Sequence, residues 1–242
     1  MNQISTKGLL LKIFIPTTIT TLVYLLLGHF CNVPHLLLFC ILATVFLVPL
    51  ELAMMLSASK KEYGTYSLKC AFNGQEKLAV WKIVLMAGVL FGIAGLLSVF
   101  FAPIENQIFA PARNALLSAL PAGFDWTNCE YIKTTFSKPM LIVTCVYYLL
   151  FNVIIGPVTE ELFFRGYLTS HYKHQSSFTP ILIVILFSLY HFWLPFNNIF
   201  RILAFGSAAF IAYKKKNIFI SIGFHCFCNL FTSISFALEI LG

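Results

Sequence analysis

The chain has 242 residues, of which 59% are apolar and only 10% are charged. Its mean hydropathy is +0.86. A soluble domain carries about 25% charged and 45–50% apolar residues, so the composition excludes a water-soluble enzyme, a disordered chain and a fibre. What remains is an all-α polytopic membrane protein. The net charge of +7 does not point to nucleic acid, because the basic residues sit in short clusters between apolar runs. That pattern orients membrane helices.

A helix needs about 20 apolar residues to cross a bilayer. In chain order the sequence offers seven such runs: 9–30, 34–56, 79–102, 139–170, 180–197, 199–213 and 217–240. The fourth is long and the sixth short. An eighth, interfacial helix fits within 103–138, where Ile104 to Leu120 is mildly amphipathic. Residues 1–242 read as one integral-membrane domain, with N-terminal spans and an outer loop over 1–138 and a motif-bearing core over 139–242. The first run is read as a retained anchor, since no small-residue cleavage site follows it. Lys7 and Lys12 precede it, five lysines lie between Lys60 and Lys82, and Lys173 and Lys214–Lys216 follow the fourth and sixth. One orientation places every lysine-rich loop in the cytoplasm: N-terminus inside, C-terminus outside. The compact length suggests a bacterial plasma membrane. Seven cysteines give no zinc-ribbon spacing; those near the outer face, Cys31 and Cys129, are expected to be unpaired thiols.

Ionisable groups at bilayer depth cost at least about 2.5–3.5 kcal/mol each, so those that persist carry information. They are Glu51, Glu160, Glu161, Arg165, His191 and His225, with Asn229 as a costly neutral group. Glu51 is expected to reach the interface and meet Lys60 or Lys61. Glu160 and Glu161 point about 100° apart on a helix and should serve different partners. Glu161 and Arg165, four apart, can neutralise each other; Glu160 is left without a helical counter-ion. Pro157 removes an amide donor and should kink the helix and admit water. His225 and Asn229 share a helix face. Counted from the cytoplasmic helix ends at about 1.5 Å per residue, Glu160, His191, His225 and Asn229 all lie about 12–18 Å deep. A carboxylate, two imidazoles and an amide converging in a wet pocket read as a catalytic or metal site.

Three motifs in order, Glu-Glu-x-x-x-Arg at 160–165, Phe-x-x-x-His at 187–191 and His-x-x-x-Asn at 225–229, resemble the CAAX protease and bacteriocin-processing family. It is also called the Abi family and includes the type II CAAX prenyl endopeptidases. The resemblance covers about 139–240. It implies an intramembrane endopeptidase in which Glu160 and His191 activate water, His225 and Asn229 bind the oxyanion, and Glu161 and Arg165 support them. The residues agree: Glu160 is the unpaired carboxylate, and no Ser or Cys is evidently paired with a base.

No cofactor is expected. The alternative is a zinc-dependent protease using the same residues, although no His-x-x-x-His pair occurs and Asn is a poor zinc ligand. Other classes are a bacteriocin-immunity or partner-binding protein, which would not need Glu160, and a proton-coupled transporter relaying through Glu160 and His191. Expected partners are membrane lipids and a peptide or protein substrate, such as a small precursor peptide or a lipid-modified tail. The lysines next to the motif helices lead one to expect the site to be reached from the cytoplasm or inner leaflet.

Overall fold

A computed structural model describes residues 3–242. Among these residues the chain is helical, with a single isolated bridge between Ile4 and Tyr172. We number the helices α1 (Thr6–Gly28), α2 (His35–Tyr63), α3 (Val80–Ser118), α4 (Cys129–Thr135), α5 (Lys138–His171), α6 (Thr179–Leu189), α7 (Asn198–Lys214) and α8 (Phe219–Leu241). Buried apolar side chains from α1, α2, α3, α5, α6, α7 and α8 form one continuous cluster.

Five of these, α1, α2, α3, α5 and α8, are long and apolar enough to cross a membrane. Of the two remaining expected spans, the fifth is much shorter than its apolar run, and the sixth is a helix of 17 residues that covers its short run. α6 stops after 11 residues, about 16 Å, and cannot cross a hydrocarbon core of about 30 Å. Pro195 and two asparagines at 197 and 198 then favour a loop, and α7 runs back for 17 residues. Non-helical backbone at membrane depth persists where protein or a water-filled cavity surrounds it.

The third expected span differs in the other direction. α3 continues through Pro103 and Pro111 for 39 residues, about 58 Å, so the amphipathic Ile104–Leu120 stretch is its extension and not a separate helix. The short α4 follows it. Along α3, Val84, Leu85, Val89, Leu96 and Val99 are exposed, a stripe suited to lipid.

The lysine-rich segments gather at one end. Residue 4 pairs its backbone with His171 and Lys173 (2.7 and 2.9 Å). Asn217 donates to the Glu76 carbonyl (2.8 Å), and Lys216 pairs with Glu76 (3.0 Å). Gly166 lets the 69–72 turn press on α5, where a side chain at 166 would strike the Ala71 carbonyl. At the opposite end Trp126 donates to the Tyr24 hydroxyl (2.8 Å), and α4 packs on the C-terminal turn of α8. All seven cysteines are unpaired thiols.

Candidate active site

α5 carries the first motif and does not follow one regular winding. Its 13-residue start is α-helical, Phe151–Ile155 is π-helical, Gly156–Glu160 is α-helical and Glu161–Leu168 is again π-helical. Pro157 supplies no N–H, and the wider turn just before it absorbs that loss, as π-bulges at functional sites commonly do. Gly156 and Pro157 line a cavity of ≈260 Å³, together with Glu160, His191, His225 and Asn229. The four residues singled out from three separate segments therefore face one space.

His225 is the hub. Its Nδ1 lies 3.0 Å from Glu161 Oε1 and its Nε2 lies 3.7 Å from Glu160 Oε2. The two glutamates thus share a partner, contrary to the expectation from their angular separation. The imidazole stands between them and offers a nitrogen on each edge, so residues about 100° apart can straddle it. A carboxylate accepts, so Nδ1 carries the proton and Nε2 turns to the cavity.

Glu161 is fully buried, and the Arg165 Nε lies 3.3 Å from its Oε2, as the four-residue spacing suggests. The contact is ionic without hydrogen-bond alignment, and among the described residues the guanidinium nitrogens of Arg165 have no hydrogen-bond partner. Instead the guanidinium stacks 4.1 Å from the Phe187 ring centroid and 5.7 Å from that of Phe205. A desolvated cation over aromatic faces gains about 2 kcal/mol.

His191 is not on a helix. It sits just past the end of α6, and its Nδ1 lies 2.7 Å from the Phe187 carbonyl oxygen. A carbonyl only accepts, so Nδ1 bears the proton and Nε2 is the lone-pair edge. Asn229 donates through Nδ2 to the Asn152 carbonyl (2.8 Å) and lies 3.2 Å from Asn152 Oδ1; Asn152 in turn donates to the Ser233 hydroxyl (3.0 Å).

Glu51 corrects the expectation of an interfacial residue. It is 1% exposed, and Tyr190 Oη donates to its Oε1 at 2.8 Å. Neither Lys60 nor Lys61 is its partner, because Glu51 faces inward from α2 whereas Lys60 turns to the Gly64 carbonyl. Thr17 of α1 also donates to the Tyr190 carbonyl (2.5 Å). The residue preceding His191 is therefore held by two helices outside the motif region.

Three polar groups were not singled out from sequence: Arg201 and Glu105 are buried and Asn152 is half-buried. Arg201 lines the cavity and donates to the carbonyls of Ser188 (3.0 Å) and Leu194 (3.4 Å), tying both sides of the His191 loop. Glu105, 1% exposed, accepts from the backbone N–H of Ile199 and of Phe200, both at 2.9 Å. It places a carboxylate on the positive N-terminus of α7. Asn152 orients Asn229. Charge within an apolar run was a usable signal for Arg201 and Glu105; the amide of Asn152 within an apolar run was a weaker signal of the same kind.

Among the described residues, no three His, Cys, Asp or Glu side chains group closely enough to hold a metal ion. No curated protein and no solved structure matches the chain. Residues 142–231, which contain all three motifs, match the model of the family described as Type II CAAX prenyl endopeptidase Rce1-like, the family that those motifs resemble.

Proposed function

We propose that the chain is an intramembrane endopeptidase of the CAAX-protease type, working by a water molecule activated without a metal. The observation that carries this reading is the convergence of Glu160, His191 and His225 on one buried cavity, with Glu160 lacking a basic partner on its own helix. Such a carboxylate can accept a proton, which a structural ion pair cannot readily do.

In the proposed reaction, Glu160 takes a proton from water while the Nε2 lone pair of His191 orients it. The resulting hydroxide attacks the peptide carbonyl carbon, and the C–O bond forms as the carbonyl π bond breaks. His225 and one N–H of Asn229 face the oxyanion, and His225 donates there when its Nε2 carries a proton as well as its Nδ1. The C–N bond then breaks, and the proton held by Glu160 passes to the leaving amine. Oxyanion donors are commonly worth about 10²–10³-fold each. Glu161 and Arg165 act through His225 and do not touch the substrate.

The lysine-rich end is proposed to be cytoplasmic, in a bacterial plasma membrane, with a peptide or lipid-modified tail as substrate. The test is cleavage of peptides by purified protein in detergent, before and after exhaustive chelation. We expect cleavage that survives chelation and gains nothing from added zinc. Zinc retained at one per chain, lost together with activity, would refute the metal-free reading.

A further inference from the structure

The surroundings of the site cavity differ sharply between its two ends. Toward the lysine-rich end the packing is closed: Phe163, Phe164, Phe187 and Tyr190 are fully buried, and the Glu161–Arg165 pair lies among them. Away from that end, the cavity shares Trp126, Trp193, Leu194, Asn197 and Phe200 with a second cavity of ≈620 Å³. The second cavity lies between the end of α1, the extension of α3 beyond Ala102, the 124–127 turn and the 192–197 loop. Each of these segments lies at the end opposite the lysines. This differs from the expectation of access from the cytoplasm or inner leaflet. The short α6 is the reason: α6 and α7 both lie on the lysine side of the loop that joins them, so the space above the loop stays open.

The walls of this second cavity are apolar, among them Leu116, Leu117, Leu120 and Phe196. Its polar groups are few. Arg113 is bound to Asn106 (2.8 Å) and lies 5.8 Å from the Phe196 ring centroid. Asp125, nearby, accepts from Thr127. One cation and one anion leave the mouth without a dominant charge.

We infer that this cavity is the substrate vestibule, and that it takes an extended, uncharged, apolar peptide segment arriving from the outer face. The inference rests on the protease reading of the site. Apolar walls with sparse polar groups suit a ligand whose side chains are greasy and whose backbone needs hydrogen bonds. A charged segment would lose hydration on entering without gaining a matched partner. A hydrocarbon chain would offer nothing to Asn197 and the loop backbone, whereas a peptide supplies donors and acceptors.

Native Cys228, which lines the site cavity, serves as the reporter. In a Cys31→Ser, Cys129→Ser background, intact cells are treated with a small membrane-impermeant thiol reagent, and modified Cys228 is identified by mass spectrometry. We expect labelling from outside, slowed at least tenfold both by Leu117→Trp and by a mixture of uncharged apolar decapeptides. Leu85→Trp, on the exposed face of α3, should leave the labelling rate unchanged. Labelling only after permeabilisation, or a rate indifferent to Leu117→Trp with melting unchanged, would overturn the vestibule. Labelling slowed by Leu117→Trp and by a dispersed fatty acid but not by the decapeptides would also overturn it, in favour of lipid. The same decapeptides, assayed for cleavage in detergent, test the protease reading separately. Cleavage unaffected by Leu117→Trp would leave that reading standing and remove the vestibule. Protection of Cys228 by the peptides without any cleavage would do the reverse.

Discussion

Glu160 and His191 face the same cavity but are held there by opposite means. Glu160 stands on α5, which runs from Lys138 to His171 and carries Glu161 next to it and Arg165 five residues on. The order of residues along one helix largely sets that part of the site. His191 stands in a loop between two short helices, and its position depends on distant parts of the chain. Thr17 and Glu51 hold Tyr190, Arg201 bridges the two sides of the loop, and Glu105 fixes the start of α7. Three of these four come from the first three helices, which lie outside the region matched by the family. The comparison teaches that α1, α2 and α3 are a mould for the His191 loop and not simply membrane anchors.

Substitutions that disturb one region and spare the other can break this contrast. Arg165→Ala should cost most. It strands buried Glu161 and removes the cation from its aromatic faces, and breaking a buried pair costs about 3–5 kcal/mol. Poor yield and early melting in detergent are expected; normal melting would show that the pair is not desolvated. Glu105→Ala should cost about 2–3 kcal/mol, because two charge-assisted bonds to the α7 N-terminus are lost. Its activity should fall further than its melting alone explains, while Glu105→Gln, which keeps one acceptor oxygen of the two, should recover only part of both. If Glu105→Ala melts early yet cleaves normally, the mould idea fails for α3. Tyr190→Phe should be mildest, at about 1–2 kcal/mol for leaving Glu51 without its donor. It should lower kcat, since the bond from Tyr190 to Glu51 sits next to His191. An unchanged kcat would show that Glu51 does not position His191.

The same contrast explains what the sequence discloses. The α5 motif is local: the Glu161–Arg165 contact follows from a spacing of four, and the isolation of Glu160 follows from the absence of such a partner. His225 and Asn229 likewise share a helix face by spacing. The apolar run at 180–197 reads as a complete span because hydropathy averages over Tyr190–Asn197 and cannot sense a chain that turns back. Glu51 looks interfacial because its partner is 139 residues away, and no local pattern announces a tyrosine at that distance. The sharing of His225 by both glutamates depends on where α8 packs against α5, which is a tertiary fact. Depth counting nevertheless brings the four cavity residues to a common level, since rise per residue survives changes in winding well enough.

Glu160 is proposed as the base, and Glu161 as the carboxylate that holds His225. The most direct measurement compares Glu160→Gln with Glu161→Gln for peptide cleavage and melting in the same detergent. Gln keeps the size of Glu but cannot take a proton. Removing a general base typically costs about 10²–10⁴-fold in rate, so Glu160→Gln should lose cleavage to that degree while melting at or above the parent temperature. Glu161→Gln should melt early, because Arg165 and the Nδ1–H of His225 lose their carboxylate. Cleavage by Glu160→Gln above about a tenth of the parent rate, outside the general-base range, would contradict the account and favour a relay or a partner-binding role.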